Sequence, residues 1–109
     1  MANTDIQNVL DLLKKNAVTL ATSTIKDFGK EAKKDAEEMV DYLKAKLEKW
    51  TKQLLDKQIT PDDFADLVKG QEELIQMDAL KKVGLAQIKV DELKGRLLKL
   101  VIDTVIGLI

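Results

Sequence analysis

The sequence contains no cysteine and no histidine. Disulfides are therefore excluded, as are Cys/His zinc sites, cysteine nucleophiles and histidine general bases. Arg96 is the only arginine among 18 basic residues, which argues against a surface built to read phosphate or nucleic acid. Neither sign of charge dominates: 18 basic and 19 acidic residues leave a formal net charge of -1, so no strong field attracts DNA. Long apolar runs are missing too. The longest is the three residues Leu100–Ile102, far below the roughly 18 residues of a membrane-spanning helix. The opening MANTDIQNVLDLL has no basic stretch ahead of an apolar one, so a secretory leader is not expected. These absences lead to the expectation of a soluble, cytoplasmic protein.

What is present is one-third charged and 45% hydrophobic, in 109 residues. That length suits one domain and is short for two, so residues 1–109 are expected to form a single helical domain. The sole proline stands in KQITPDDF. Thr60 suits a helix N-cap, Pro61 the first helical position, and Asp62 and Asp63 the positive end of a new helix.

Before that boundary the chain is rich in Leu, Ala, Lys, Glu and Asp. Ile6, Ala17, Phe28, Met39 and Trp50 recur every eleven residues, and so do Leu10, Ala21, Ala32, Leu43 and Leu54. Eleven residues over three turns is about 3.67 per turn, close to the natural helix period, so the seam keeps to one side of a nearly straight helix. One continuous arm of about fifty residues would be roughly 75 Å long. Gly29 and the run Thr22–Thr24 are soft points, and a break near residues 22–29 is the alternative. Lys33–Glu37, Lys34–Glu38, Lys44–Glu48 and Glu48–Lys52 have the spacing of intrahelical ion pairs. The carboxylates among these lysines read as a solvated face rather than an acid–base site.

After Pro61, apolar residues at helical spacing run from Phe64 through Val68, Ile75, Ala79, Val83, Ala86, Val90, Leu93, Leu97 and Val101, with Gly70, Gly84 and Gly95 as interruptions. The piece LAQIKVDE alternates partly, but a strand there would lack a partner. The expected fold is therefore all-α: a long antiparallel helical hairpin with arms of about 5–57 and 61–108, assembling into a four-helix bundle. A three- or four-helix monomer follows instead if the Gly29 or Gly84 region turns fully.

The last thirteen residues, LLKLVIDTVIGLI, carry only Lys99 and Asp103 as charged side chains. On a helix their apolar arc spans roughly 240°, broader than one partner helix covers. NAVTLATSTI, residues 16–25, holds no charge at all, and an antiparallel hairpin brings the two stretches to one end. The expected protein interface is Ala17, Leu20, Ala21, Ile25, Leu93, Leu97, Val101, Val105 and Leu108, with Lys99 and Asp103 at its water-facing edge. A homo-oligomer, with a dimer preferred, is the leading expectation, and a different protein partner the next. The reading is a non-enzymatic interaction or assembly protein. Peripheral membrane or lipid binding through an amphipathic face is the alternative. Nucleic acid is not an expected partner, and no cofactor or metal is expected, since phosphate loops, metal-ligand spacings and nucleophile–base pairs are not evident.

Overall fold

A computed structural model describes residues 6–108. Five α-helices account for most of them: α1 (Ile6–Thr24), α2 (Gly29–Leu55), α3 (Pro61–Lys69), α4 (Asp78–Lys82) and α5 (Gln87–Ile106). Single 3-10 turns occupy Lys26–Phe28 and Glu72–Leu74, and no strand occurs among the described residues.

The all-α class and the antiparallel hairpin are both present, but the first reversal falls at residues 25–28 instead of 57–61. The fifty-residue arm is thus divided, and the molecule measures 45 × 23 × 19 Å. Local chemistry explains the break. Near the end of α1, Thr19, Thr22 and Ser23 donate their hydroxyls to the carbonyls of Lys15, Val18 and Thr19 at 3.1, 2.9 and 2.6 Å. Such back-bonding competes with continued helix. Ile25 then leaves helical geometry, at φ -113° and ψ 78°, and α2 restarts at Gly29. Packing rewards the reversal. Leu13, Ala17 and Ala21 of α1 and Ala32, Ala36 and Leu43 of α2 become fully buried in one core. Burying one leucine contributes about 2 kcal/mol, comparable with the few helical hydrogen bonds surrendered at the break. The eleven-residue rows survive this change. Leu10, Ala21, Ala32, Leu43 and Leu54 are all buried, because folding the seam onto itself leaves it on the inner side of both helices.

α2 ends in a Schellman motif. Lys57 stands at φ 61°, its N–H bonds the Leu54 carbonyl, and the Gln58 N–H reaches Gln53 at 2.8 Å. α3 begins as its sequence predicts. Thr60 Oγ1 accepts from the Asp63 N–H at 3.1 Å, and the Asp63 carboxylate accepts from the Thr60 N–H at 3.0 Å, closing a capping box behind Pro61. α3 is nine residues long; the chain then passes through Glu72–Leu74 into the five-residue α4. α4 ends in a second Schellman motif, with Gly84 at φ 86° and the Leu85 N–H on the Leu80 carbonyl at 3.1 Å. The segment LAQIKVDE then enters α5, so its helical reading holds.

These pieces form a ring of four staves. α1 packs on α2, α2 on α3 and α4, α3 on α5, and α5 closes on α1. The four-helix arrangement therefore arises within one chain, with the third stave broken into α3 and α4.

Candidate functional site

Closure of α5 on α1 determines what surface is left for a partner. Ala17, Ala21, Leu93, Leu97 and Val101 are fully buried in the chain's own core, and Ile25 and Val105 nearly so. Of the nine expected interface residues, Leu20 is half-buried and Leu108 is exposed. The two low-charge stretches do not come together as expected: α5 runs antiparallel to α1, so residues 97–108 lie at the end where α1 starts and residues 16–25 at the end where it finishes, because the chain reverses three times between them and not once. The apolar arc judged too broad for one partner helix is covered by two neighbours, α1 and α3.

Two faces remain outside. The first belongs to α1. Asn16, Thr19 and Ser23 are exposed, Val18, Leu20, Thr22 and Thr24 are half-buried, and none carries charge. Leu12, 51% exposed, lies one turn earlier. Because the Thr19, Thr22 and Ser23 hydroxyls are donated inward to their own helix, this face offers fewer free donors than its composition suggests.

The second face belongs to α5. Ile88 is 69% exposed, more than any other large apolar residue described. Gly95, Lys99 and Asp103 are exposed, and a Cβ added at Gly95 would have nothing within 4 Å. A glycine inside a helix costs about 1 kcal/mol relative to alanine, and no packing within the chain requires this one. Beside it runs a groove of about 390 Å³ between α3 and α5. Leu98 and Ile102, both buried, form its floor, and Lys69, Glu72, Lys99 and Asp103 stand along it.

Polar groups inside the bundle have structural uses. Asp35, 2% exposed, accepts the Ala79 and Leu80 N–H groups at 3.0 and 2.8 Å, so a carboxylate of α2 caps α4. Met77, just before α4, is buried in left-handed geometry at φ 53° and ψ 47°. Lys94 is 7% exposed and forms no ion pair among the described residues. Thr51 Oγ1 is buried without a hydrogen-bond partner among the described residues. It lies beside a groove shared with Ile6, Glu48 and Leu55.

The charged exterior is loosely organised. Lys14 Nζ bonds Asp41 Oδ1 at 3.0 Å, the one ion pair within 4 Å among the described residues. The intrahelical pairs expected along α2 are not closed at that distance, as befits exposed side chains whose pairing gains little over hydration. Lys46 Nζ instead sits 5.3 Å from the Tyr42 ring centre. Among the described residues, no group of three or more acidic side chains could hold a metal ion, and no helix is long and apolar enough to cross a membrane.

Sequence reasoning missed Asp35 and the outer face of α5. No local pattern marks Asp35, whose partners are more than forty positions away. The pattern around Gly95 is local, but it stood next to a far more apolar terminus. Comparison of the chain with protein-family models, with curated proteins and with solved structures finds no match.

Proposed function

We propose that this chain is a non-enzymatic helical protein that works by association, with a second copy of itself as the preferred partner and another protein as the broader class. The supporting observation is the uncharged outer face of α1 in a chain that is one-third charged. Seven consecutive positions of mixed exposure, Val18–Thr24, carry no charge, and three hydroxyls there are spent on their own helix. A face of this kind has little electrostatic cost of desolvation, and the charges that border it at Val18 and Thr19, among them Asp11, Lys14, Lys15, Lys33 and Glu37, are of both signs. The reading involves no cofactor and places the protein in the cytoplasm.

Sedimentation velocity across nanomolar to high-micromolar concentration tests it. A concentration-dependent shift from monomer to dimer is expected. A strictly monomeric chain that also retains no protein partner on affinity capture would remove the proposal. The second reading is peripheral lipid binding. It is favoured by Ile6, Leu12, Leu55 and Leu108, all wholly or partly exposed around the end where α1 starts and α2 and α5 finish. Co-sedimentation with neutral and anionic vesicles separates the two readings, since a protein that pellets with vesicles and never dimerises follows the second.

A further inference from the structure

The outer face of α5 is symmetric about Gly95 in a way that suits a second copy of the same helix. Asp91 and Lys99 lie four residues on either side of Gly95; Ile88 and Ile102 lie seven on either side. At about 100° per residue, all five positions fall within an arc of roughly 80°. Asp91 is exposed and accepts only the Gln87 side-chain amide, at 2.8 Å; Lys99 is exposed and has no ion pair among the described residues. Opposite charges at equal distances from a centre are self-complementary when two such helices run antiparallel across a two-fold axis.

We propose that two copies of the chain associate by packing α5 on α5 in an antiparallel crossing centred on Gly95. This deepens the reading of the protein as one that assembles, and rests on it. The crossing places Asp91 of each copy level with Lys99 of the other, giving each an opposite charge that neither has within ion-pair distance among the described residues. Ile88 of each copy falls level with Ile102 of the other, where the α3–α5 groove lies. The most exposed large apolar side chain thereby gains an apolar floor of Leu98 and Ile102. Gly95 at the centre lets the two backbones approach closely, and its missing side chain leaves open space on that side. Glu92 and Leu98, three residues on either side, are level with each other. Leu98 is already part of the core, and Glu92 stays at the wet edge of the contact. A second copy is the occupant because the two charge positions and the two apolar positions share one centre, a coincidence that an unrelated partner does not require. The α1 face, lacking any charge, has nothing comparable to fix a register.

The test is a charge-reversal cross. Asp91→Lys alone and Lys99→Asp alone each bring like charges together twice across the two-fold, and each is expected to weaken self-association by at least about tenfold. An equimolar mixture of the two variants restores opposite charges at both positions, so heterodimer is expected at near wild-type affinity. Gly95→Leu is expected to abolish the dimer while the monomer melts at the wild-type temperature or above. Circular dichroism confirms that each variant folds. Wild-type affinity in both reversals, or a mixture no tighter than either alone, overturns the α5 crossing. If Leu12→Glu on α1 then dissolves the dimer, assembly stands and only its site has moved. A wild-type chain that is monomeric throughout overturns both.

Discussion

The α1–α2 hairpin and the third stave are held together by different means. In the hairpin, an apolar seam repeats along both helices. Apart from Asp35 and Thr51, every buried residue of the two helices is a leucine, valine, methionine or alanine, and the one inter-helix ion pair among the described residues is at the surface. The third stave has two short helices, too short for such a seam. It relies on discrete polar devices: the Thr60–Asp63 capping box, the buried Asp35 carboxylate on α4, and a methionine in left-handed geometry. A repeating seam distributes stability over many interchangeable contacts, whereas a chain of caps places it in a few irreplaceable ones. The hairpin should therefore open only with the whole molecule, and the third stave below that limit.

Leu43→Ala provides the largest expected effect. Leu43 is fully buried in the seam, and truncation should cost about 3 kcal/mol of global stability, seen as a lower urea midpoint at unchanged slope. Native-state hydrogen exchange should speed up at the inner amides of α1 and α2, whereas α4 amides, which exchange through their own smaller opening with the seam still packed, should change little. Asp35→Ala should cost somewhat less, about 2 kcal/mol, because the Ala79 and Leu80 N–H groups lose their acceptor. Its effect should be shared: α4 opening and global unfolding both break these bonds, so α4 amides and the inner amides of α1 and α2 should lose protection alike. Equal loss in both regions for Leu43→Ala as well would show that the third stave is no separate unit.

The two Schellman motifs sharpen the comparison at smaller scale. Gly84 occupies its left-handed position without penalty, but Lys57 does so at φ 61° with a β-carbon in the way. Lys57 is exposed and outside every ion pair described. Lys57→Gly should therefore stabilise the protein by about 0.5 kcal/mol in thermal or urea unfolding, against the usual direction of a glycine substitution. No gain would mean that the joint between the hairpin and the third stave is unstrained.

The same contrast accounts for how much was legible in the sequence. The seam residues, the all-α class, the boundary at Thr60–Pro61 and the helical nature of residues 87–106 all follow from patterns within a few turns of each other. The location of the first reversal does not. Thr22–Thr24 and Gly29 weaken a helix without ending it, and the decision is made by burial against α2, a tertiary effect. That one reversal also redirects the candidate site. Once α1 folds on α2, α5 fills the place that a second molecule would have taken, so Leu97 and Val101 become interior while Ile88 and Gly95 stay outside. Asp35 was illegible for another reason. One of six acids among the thirteen charges between Lys30 and Lys52, it looks like its neighbours until its partners on α4 are in place.

The smallest expected effect concerns the one ion pair of the hairpin. The Lys14 ammonium is held above its ordinary value of 10.5 chiefly by its hydrogen bond to Asp41, against a smaller opposing effect of desolvation, with attraction to Asp41, Glu37 and Asp11 adding to the rise. A lysine whose value is raised on folding favours the folded state fully below its unfolded value and loses that contribution as pH climbs through the folded one. Both side chains are substantially exposed, at 37% and 61%, so the pair should contribute no more than about 0.5 kcal/mol at neutral pH. Lys14→Met should therefore lower stability slightly at pH 7 in low salt, and the gap from wild type should close only as the pH climbs beyond 10.5, and in high salt. A gap that persists in both conditions would assign the Lys14 contribution to its aliphatic stem packed along α1 and α2, making even this surface contact part of the apolar seam.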